Sequence, residues 1–166
     1  MSTTEQMGAA RIDHVVVPGT FDPVTLGHMD VISRTRKLFP RVTVAVAASV
    51  NKRGRGTAFT LEERVEMLRE ATKHIPNVRV TSFSGLLNEF CQREKAPFIV
   101  RGLRAFTDFE YEFQRALLLK KIDNQLETVF IMTNAKYSFV SSSGVRELAT
   151  FGGQLTDLVP ECIEER

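Results

Sequence analysis

Five short runs rich in valine, isoleucine and threonine recur along this chain, and four of them lead into longer segments with helical apolar spacing. That alternation restricts the fold more than any other feature of the sequence. The runs are His14–Val17, Val42–Ala47, Val78–Thr81, Phe98–Val100 and Thr128–Met132. The intervening segments, Leu26–Phe39, Leu61–His74, Leu86–Arg93 and Asp108–Ile122, place apolar residues three and four apart, the signature of amphipathic helices. Strand-like runs without polar alternation suit strands covered on both faces. The expectation is an α/β fold built on a parallel sheet.

Local punctuation supports these boundaries. Thr60 with Glu63 has capping-box form, and Thr107 with Glu110 repeats it before the fourth helix. Gly152 and Gly153 suit the end of a helix that begins near Ser141, and Pro160 suits the first turn of a short final helix. A chain of 166 residues fits one domain, and neither a repeat nor a linker divides it. Residues 1–11 are expected to be a flexible polar segment ahead of a single domain spanning 12–166. That domain is read as a Rossmann-like, doubly wound, five-stranded sheet of order 3-2-1-4-5.

Composition excludes several classes of function. Twenty-two basic against twenty acidic side chains leave a formal charge of +2, too balanced for a nucleic-acid or membrane binder. Cys91 and Cys162 lie far apart without a CxxC partner, which suits neither zinc nor a disulfide framework and implies a reducing compartment. No apolar run resembles a leader or approaches the ~20 residues of a membrane span. A cytoplasmic location is expected.

In a doubly wound sheet, ligands bind beyond the carboxyl ends of the strands where the strand order reverses. Here that point lies between the first and fourth strands, and the two least ordinary loops follow those strands. The first reads Pro18-Gly19-Thr20-Phe21-Asp22-Pro23-Val24-Thr25-Leu26-Gly27-His28. A helix starting near Thr25 would offer free amides to a phosphate, with His28 as an added donor on the same face. No Gly-Lys-Ser/Thr follows, so this is not a Walker loop. An isolated GxxH is more often a plain turn; the full string after a strand is more specific.

The second loop is Arg101-Gly102-Leu103-Arg104, whose two arginines present forked donors suited to phosphate. The alternative is that they pair with Asp108 or Glu112. A third stretch, Tyr137-Ser138-Phe139-Val140-Ser141-Ser142-Ser143 with Arg146 one turn on, brings hydroxyls to a helix start, where serines also serve as ordinary caps. Lys52 follows the second strand in a loop that also carries Arg53 and Arg55. His14, His74 and the helically spaced Phe106, Phe109 and Phe113 are read as structural.

The element Thr25-x-Gly27-His28 resembles the T/HxGH signature of the nucleotidyltransferase superfamily. The whole Pro18–His28 string, with Arg101–Arg104 running on to Glu112, resembles bacterial phosphopantetheine adenylyltransferases. The Ser141–Arg146 run is similar to the superfamily's ISSTxxR element, with Ser143 in place of threonine; Tyr137 stands where the family often has tryptophan. The resemblance implies transfer of the adenylyl group of ATP to 4′-phosphopantetheine, by direct in-line attack without a covalent enzyme intermediate. It implies ATP contacts from Thr20, Phe21, His28, Gly102, Leu103, Arg104, Glu112 and the stretch Tyr137 to Ser143. Acceptor contacts would come from Thr20, Lys52, Leu87 and Arg101, with His28, Thr20, Lys52 and Arg101 as the catalytic set. It further implies Mg²⁺ accompanying ATP, inhibition by coenzyme A and a homohexamer. The alternatives are a nucleotidyltransferase with another phosphorylated acceptor and a noncatalytic nucleotide sensor.

Overall fold

The computed structural model describes residues 12–48 and 56–166. The strands are β1 (His14–Gly19), β2 (Arg41–Ala47), β3 (Val78–Phe83), β4 (Phe98–Leu103) and β5 (Glu127–Met132). The helices are α1 (Leu26–Leu38), α2 (Leu61–Thr72), α3 (Leu87–Glu94), α4 (Phe106–Ile122), α5 (Ser142–Thr150) and α6 (Glu161–Glu164). All strand pairs are parallel and the order is β3-β2-β1-β4-β5, as the alternation predicts.

Strand pleat divides the core in two. Val15, Val17, Val44 and Val46 face one side, where Val31 and Ile32 of α1, Met67 and Leu68 of α2, Val145 of α5 and Ile163 of α6 cover them. Val16, Ala45 and Ile99 face the other side, against Phe90 and Cys91 of α3 and the partly buried Leu119 of α4. Period-two alternation with both faces apolar is why the strand runs read as continuous hydrophobic sequence. Both cysteines are free; burial pushes the Cys91 thiol up to about 12, which leaves it unreactive.

Helix ends follow the expected chemistry with two exceptions, one of them Pro160, which caps α6 (Glu161–Glu164) instead of entering its first turn. Thr60 and Glu63 form the capping box of α2 in full. At α5, Gly152 takes φ 71°, and Gly153 and Gly152 donate to Leu148 and Ala149 in the Schellman pattern. The capping box expected at Thr107 is not the start of α4, which begins two residues earlier than expected, at Phe106, with Ala105 as its cap. The Asp108 carboxylate instead accepts the Arg104 amide at 3.2 Å, so a turn made by the second motif replaces the local cap. His14 is structural as read: its Nε2 lies 2.9 Å from the Thr43 hydroxyl and its Nδ1 3.1 Å from the Glu94 carbonyl.

Candidate active site

Because β1 is flanked by β2 on one side and β4 on the other, the loops leaving β1 and β4 diverge and open a crevice at the sheet's carboxyl edge. The crevice has a volume of about 590 Å³. Thr20, Phe21, His28, Arg101, Gly102, Arg104, Glu112, Val140 and Ser141 to Ser143 line it, so three motifs far apart in sequence meet there. Leu103 is buried in β4 instead, Tyr137 packs against the core, and Ser138 and the 74% exposed Phe139 lie outside the lining. Leu87 lies with Ile99, Ala116 and Leu119 in a small apolar depression that shares Arg101 and Glu112 with the main crevice. Lys52 falls outside the described residues, as do Arg53, Arg55 and the segment 1–11.

The geometry fixes the state of His28. Thr25 caps α1, its hydroxyl accepting the His28 amide at 3.3 Å while its own amide donates to His28 Nδ1 at 3.0 Å. An amide can only donate, so Nδ1 carries the lone pair and the ring proton sits on Nε2. Burial, reinforced by Arg104 and Arg101, lowers the His28 pKa to about 4, which keeps the imidazole neutral near pH 7. The Phe21 ring meets it edge-on at 5.0 Å. Phe21 itself has φ 50°, a left-handed conformation that burial of its ring holds in place.

The helix start at Thr25 is less open than the sequence suggests. Leu26 donates its amide to the Leu158 carbonyl at 2.9 Å, and the amides of Thr25 and His28 are used in the capping box. Only the Gly27 amide is left for a ligand among these four. The start of α5 is more open: Ser141 caps Gly144 at 3.0 Å, while the Ser142 and Ser143 amides are not part of that cap. The serine hydroxyls act partly as scaffold, since Ser142 donates to the Pro23 carbonyl at 2.8 Å.

The arginines pair with the acidic residues, as the alternative reading has it. Arg101 grips Glu112 with two nitrogens, at 2.7 and 2.5 Å, and donates a third bond to the Pro18 carbonyl at 2.8 Å. Arg104 grips Asp108 and reaches the Val140 carbonyl at 2.9 Å, bridging β4, α4 and the approach to α5. They are held rigid by carboxylates and face the crevice as well. Gly102 is explained by packing: a Cβ there would stand 2.7 Å from Val31 Cγ2 of α1. Two side chains have structural roles that the sequence does not reveal. Arg64, 1% exposed, donates to the carbonyls of Thr20 at 2.7 Å, Ala47 at 3.0 Å and Phe59 at 3.3 Å. Asp22, 5% exposed, accepts the amides of Ala58 and Phe59, both at 2.9 Å.

A neutral imidazole beside two arginines, at the reversal point of a parallel sheet, suits a ligand that carries phosphates. A family model described as cytidylyltransferase-like matches residues 16–148. The chain is 55% identical over 149 residues to a phosphopantetheine adenylyltransferase of Moorella thermoacetica, covering 90% of this chain and 91% of that one. It is 51% identical over 151 residues to one of Heliobacterium modesticaldum, covering 91% and 88%. The chain belongs to the phosphopantetheine adenylyltransferase family. Its fold is also similar to a Vibrio parahaemolyticus crystal structure assigned as a nicotinate-nucleotide adenylyltransferase, with TM-score 0.67 at 16% identity, covering 92% and 96%.

Proposed function

We propose that this chain transfers the adenylyl group of ATP to 4′-phosphopantetheine, giving dephospho-coenzyme A and pyrophosphate. The observation that carries the mechanism is the locked, neutral His28, whose Nε2–H is the donor available in a crevice that also presents Arg101 and Arg104. A phosphate oxygen of the acceptor attacks the α-phosphorus in line, that P–O bond forms, and the bond to the β-phosphate breaks. The acceptor phosphate is already anionic, so no general base is needed. The obstacle is the approach of two anions, which oriented donors relieve.

In this reading His28 and Thr20 donate to the α-phosphate oxygens. Arg104 and the amides at the start of α5 hold the β- and γ-phosphates. Arg101 and Lys52 draw in the acceptor phosphate, with Leu87 against the arm behind it. No cluster of three or more potential metal ligands occurs among the described residues, and the carboxylates of Asp22, Asp108 and Glu112 are occupied by arginines or amides. Mg²⁺ would therefore take its ligands chiefly from ATP phosphates and water, and would neutralise charge there.

The reading includes a cytoplasmic enzyme; among the described residues no helix is long and apolar enough to cross a membrane. It includes inhibition by coenzyme A, which carries both ends of the product. It also includes a homohexamer, supported by the apolar side chains that α4 leaves exposed. The test is to supply ATP, Mg²⁺ and 4′-phosphopantetheine, follow pyrophosphate and identify the organic product by mass, with cytidine triphosphate in parallel. Dephospho-coenzyme A from ATP alone is expected. Absence of product with bound ATP would sink the acceptor assignment.

A further inference from the structure

Asp22 stands in the middle of the first motif, and the reaction above gives it no chemical task. Its carboxylate is nevertheless engaged by groups from two other parts of the chain. Oδ1 accepts the Phe59 amide and Oδ2 the Ala58 amide, both at 2.9 Å. Oδ2 also lies 3.6 Å from an Arg146 nitrogen of α5, and the same nitrogen donates to the Asp22 carbonyl at 2.5 Å. The residues just before Ala58, Gly56 and Thr57, form part of the crevice wall, as does Arg146. The Phe59 carbonyl is held from the other side by the buried Arg64 and by the Thr57 hydroxyl at 2.7 Å. One peptide strip is thus clamped between a buried anion and a buried cation, and the anion reaches on to α5.

We propose that Asp22 is a positioning residue that couples the Gly56–Phe59 wall of the crevice to Arg146, so that the two walls keep one spacing. Backbone amides on a carboxylate are charge-assisted bonds, and at a buried site they resist displacement. Arg146 lines the crevice, so a ligand phosphate that engages it acts on a side chain 3.6 Å from the carboxylate that anchors the opposite wall. Binding on one side therefore stiffens the other. The coupling rests on the substrate reading given above, whereas the clasp itself does not.

Two measurements test it. Hydrogen exchange on the unsubstituted full chain should show the Ala58 and Phe59 amides protected on the order of 100-fold without ligand, although they lie outside any helix or strand. Adding α,β-methylene-ATP should slow them further. Unprotected amides would overturn the clasp, and protection unmoved by the nucleotide analogue would overturn the coupling. In steady-state kinetics, Asp22→Asn should raise the KM for both substrates about tenfold and lower kcat, with a native circular dichroism spectrum. Adding Arg146→Ala to that variant should cost less than it costs alone. A folded Asp22→Asn enzyme with kcat and both KM values within about twofold of the parent, or strictly additive losses, would overturn the proposal. If Asp22→Asn does not fold, the exchange measurement decides alone. A chain that releases no pyrophosphate would refute the substrate reading while leaving the ligand-free protection intact.

Discussion

Helix α4 lines the crevice through Asp108 and Glu112, α2 braces its first loop from behind through Arg64, and the two are built on opposite plans. Helix α2 buries half of its twelve residues, including Arg64, Met67 and Leu68, and fastens the first half of the sheet to the Pro18–His28 loop. Helix α4 is longer, yet among its described side chains only Glu112 is buried, and that residue serves the site by gripping Arg101. Leu119 packs against the core, but Tyr111, Phe113, Leu117, Leu118 and Ile122 are exposed, and Phe109 and Phe113 stack on each other at 5.6 Å. The same apolar spacing thus makes a core helix in one place and an uncovered face in the other. Periodicity reports that a face is apolar and is silent about what covers it.

The sharpest way to break the contrast is at Arg64. Arg64→Met removes three buried bonds to carbonyls and leaves Asp22 without its nearest buried cation, so a loss of about 3–5 kcal/mol is expected in chemical denaturation. A loss under ~1 kcal/mol would mean that the α2 side is not the rigid half.

His28→Ala should reduce kcat about 10²–10³-fold with the fold intact, because it removes one donor aimed at developing charge. Near-normal turnover would take His28 out of the mechanism. Next in size is Gly102→Ala, where the added methyl meets Val31 and must move α1 or β4; overpacking of this kind costs about 1–3 kcal/mol. The crevice should widen with it, so KM for ATP should rise alongside the fall in melting temperature. An unchanged KM would separate the packing at Gly102 from the site.

Acid should act on both halves in the same direction. The pKa values of His14 and His28 are lowered from 6.5 by burial, that of His28 to about 4. The unfolded chain therefore takes up protons first, and their contribution to stability is complete above about pH 6.5 and is lost as pH falls toward 4. Activity should behave differently. With His28 neutral throughout that range, the acid limb of kcat/KM should follow the acceptor phosphate, whose second pKa is about 6. A limb near 6 that vanishes in His28→Gln would assign it to the histidine instead. The smallest effect on the folded chain is expected on α4, where Leu117→Ser and Leu118→Ser alter exposed side chains and should change subunit stability by no more than about 0.5 kcal/mol. Light scattering should nevertheless show smaller particles, and an unchanged particle size would remove α4 from any assembly interface.

Much of the site was legible because its signals are local. Thr25, Gly27 and His28 lie within one helical turn, and the capping box that orients the imidazole is written in that spacing. Arg101 and Arg104 were legible as a pair, and their partners Glu112 and Asp108 follow within eleven residues. The offer of free amides at α1 failed for the opposite reason. The Leu158 carbonyl that takes the Leu26 amide comes from the far end of the chain. The serine run was legible as a helix start, but the use of Ser142 to hold Pro23 was not.

By itself, then, the sequence determined the parallel sheet and the capped helix start that carries His28, because strand periodicity and capping are short-range physics. Only the tertiary structure decided which groups those donors are tied to. Asp22 finds its amides 36 and 37 residues away, and Arg64 reaches Thr20 across 44. At such separations a bond exists only because the sheet has already brought the strands' ends together, so no pattern along the chain records it.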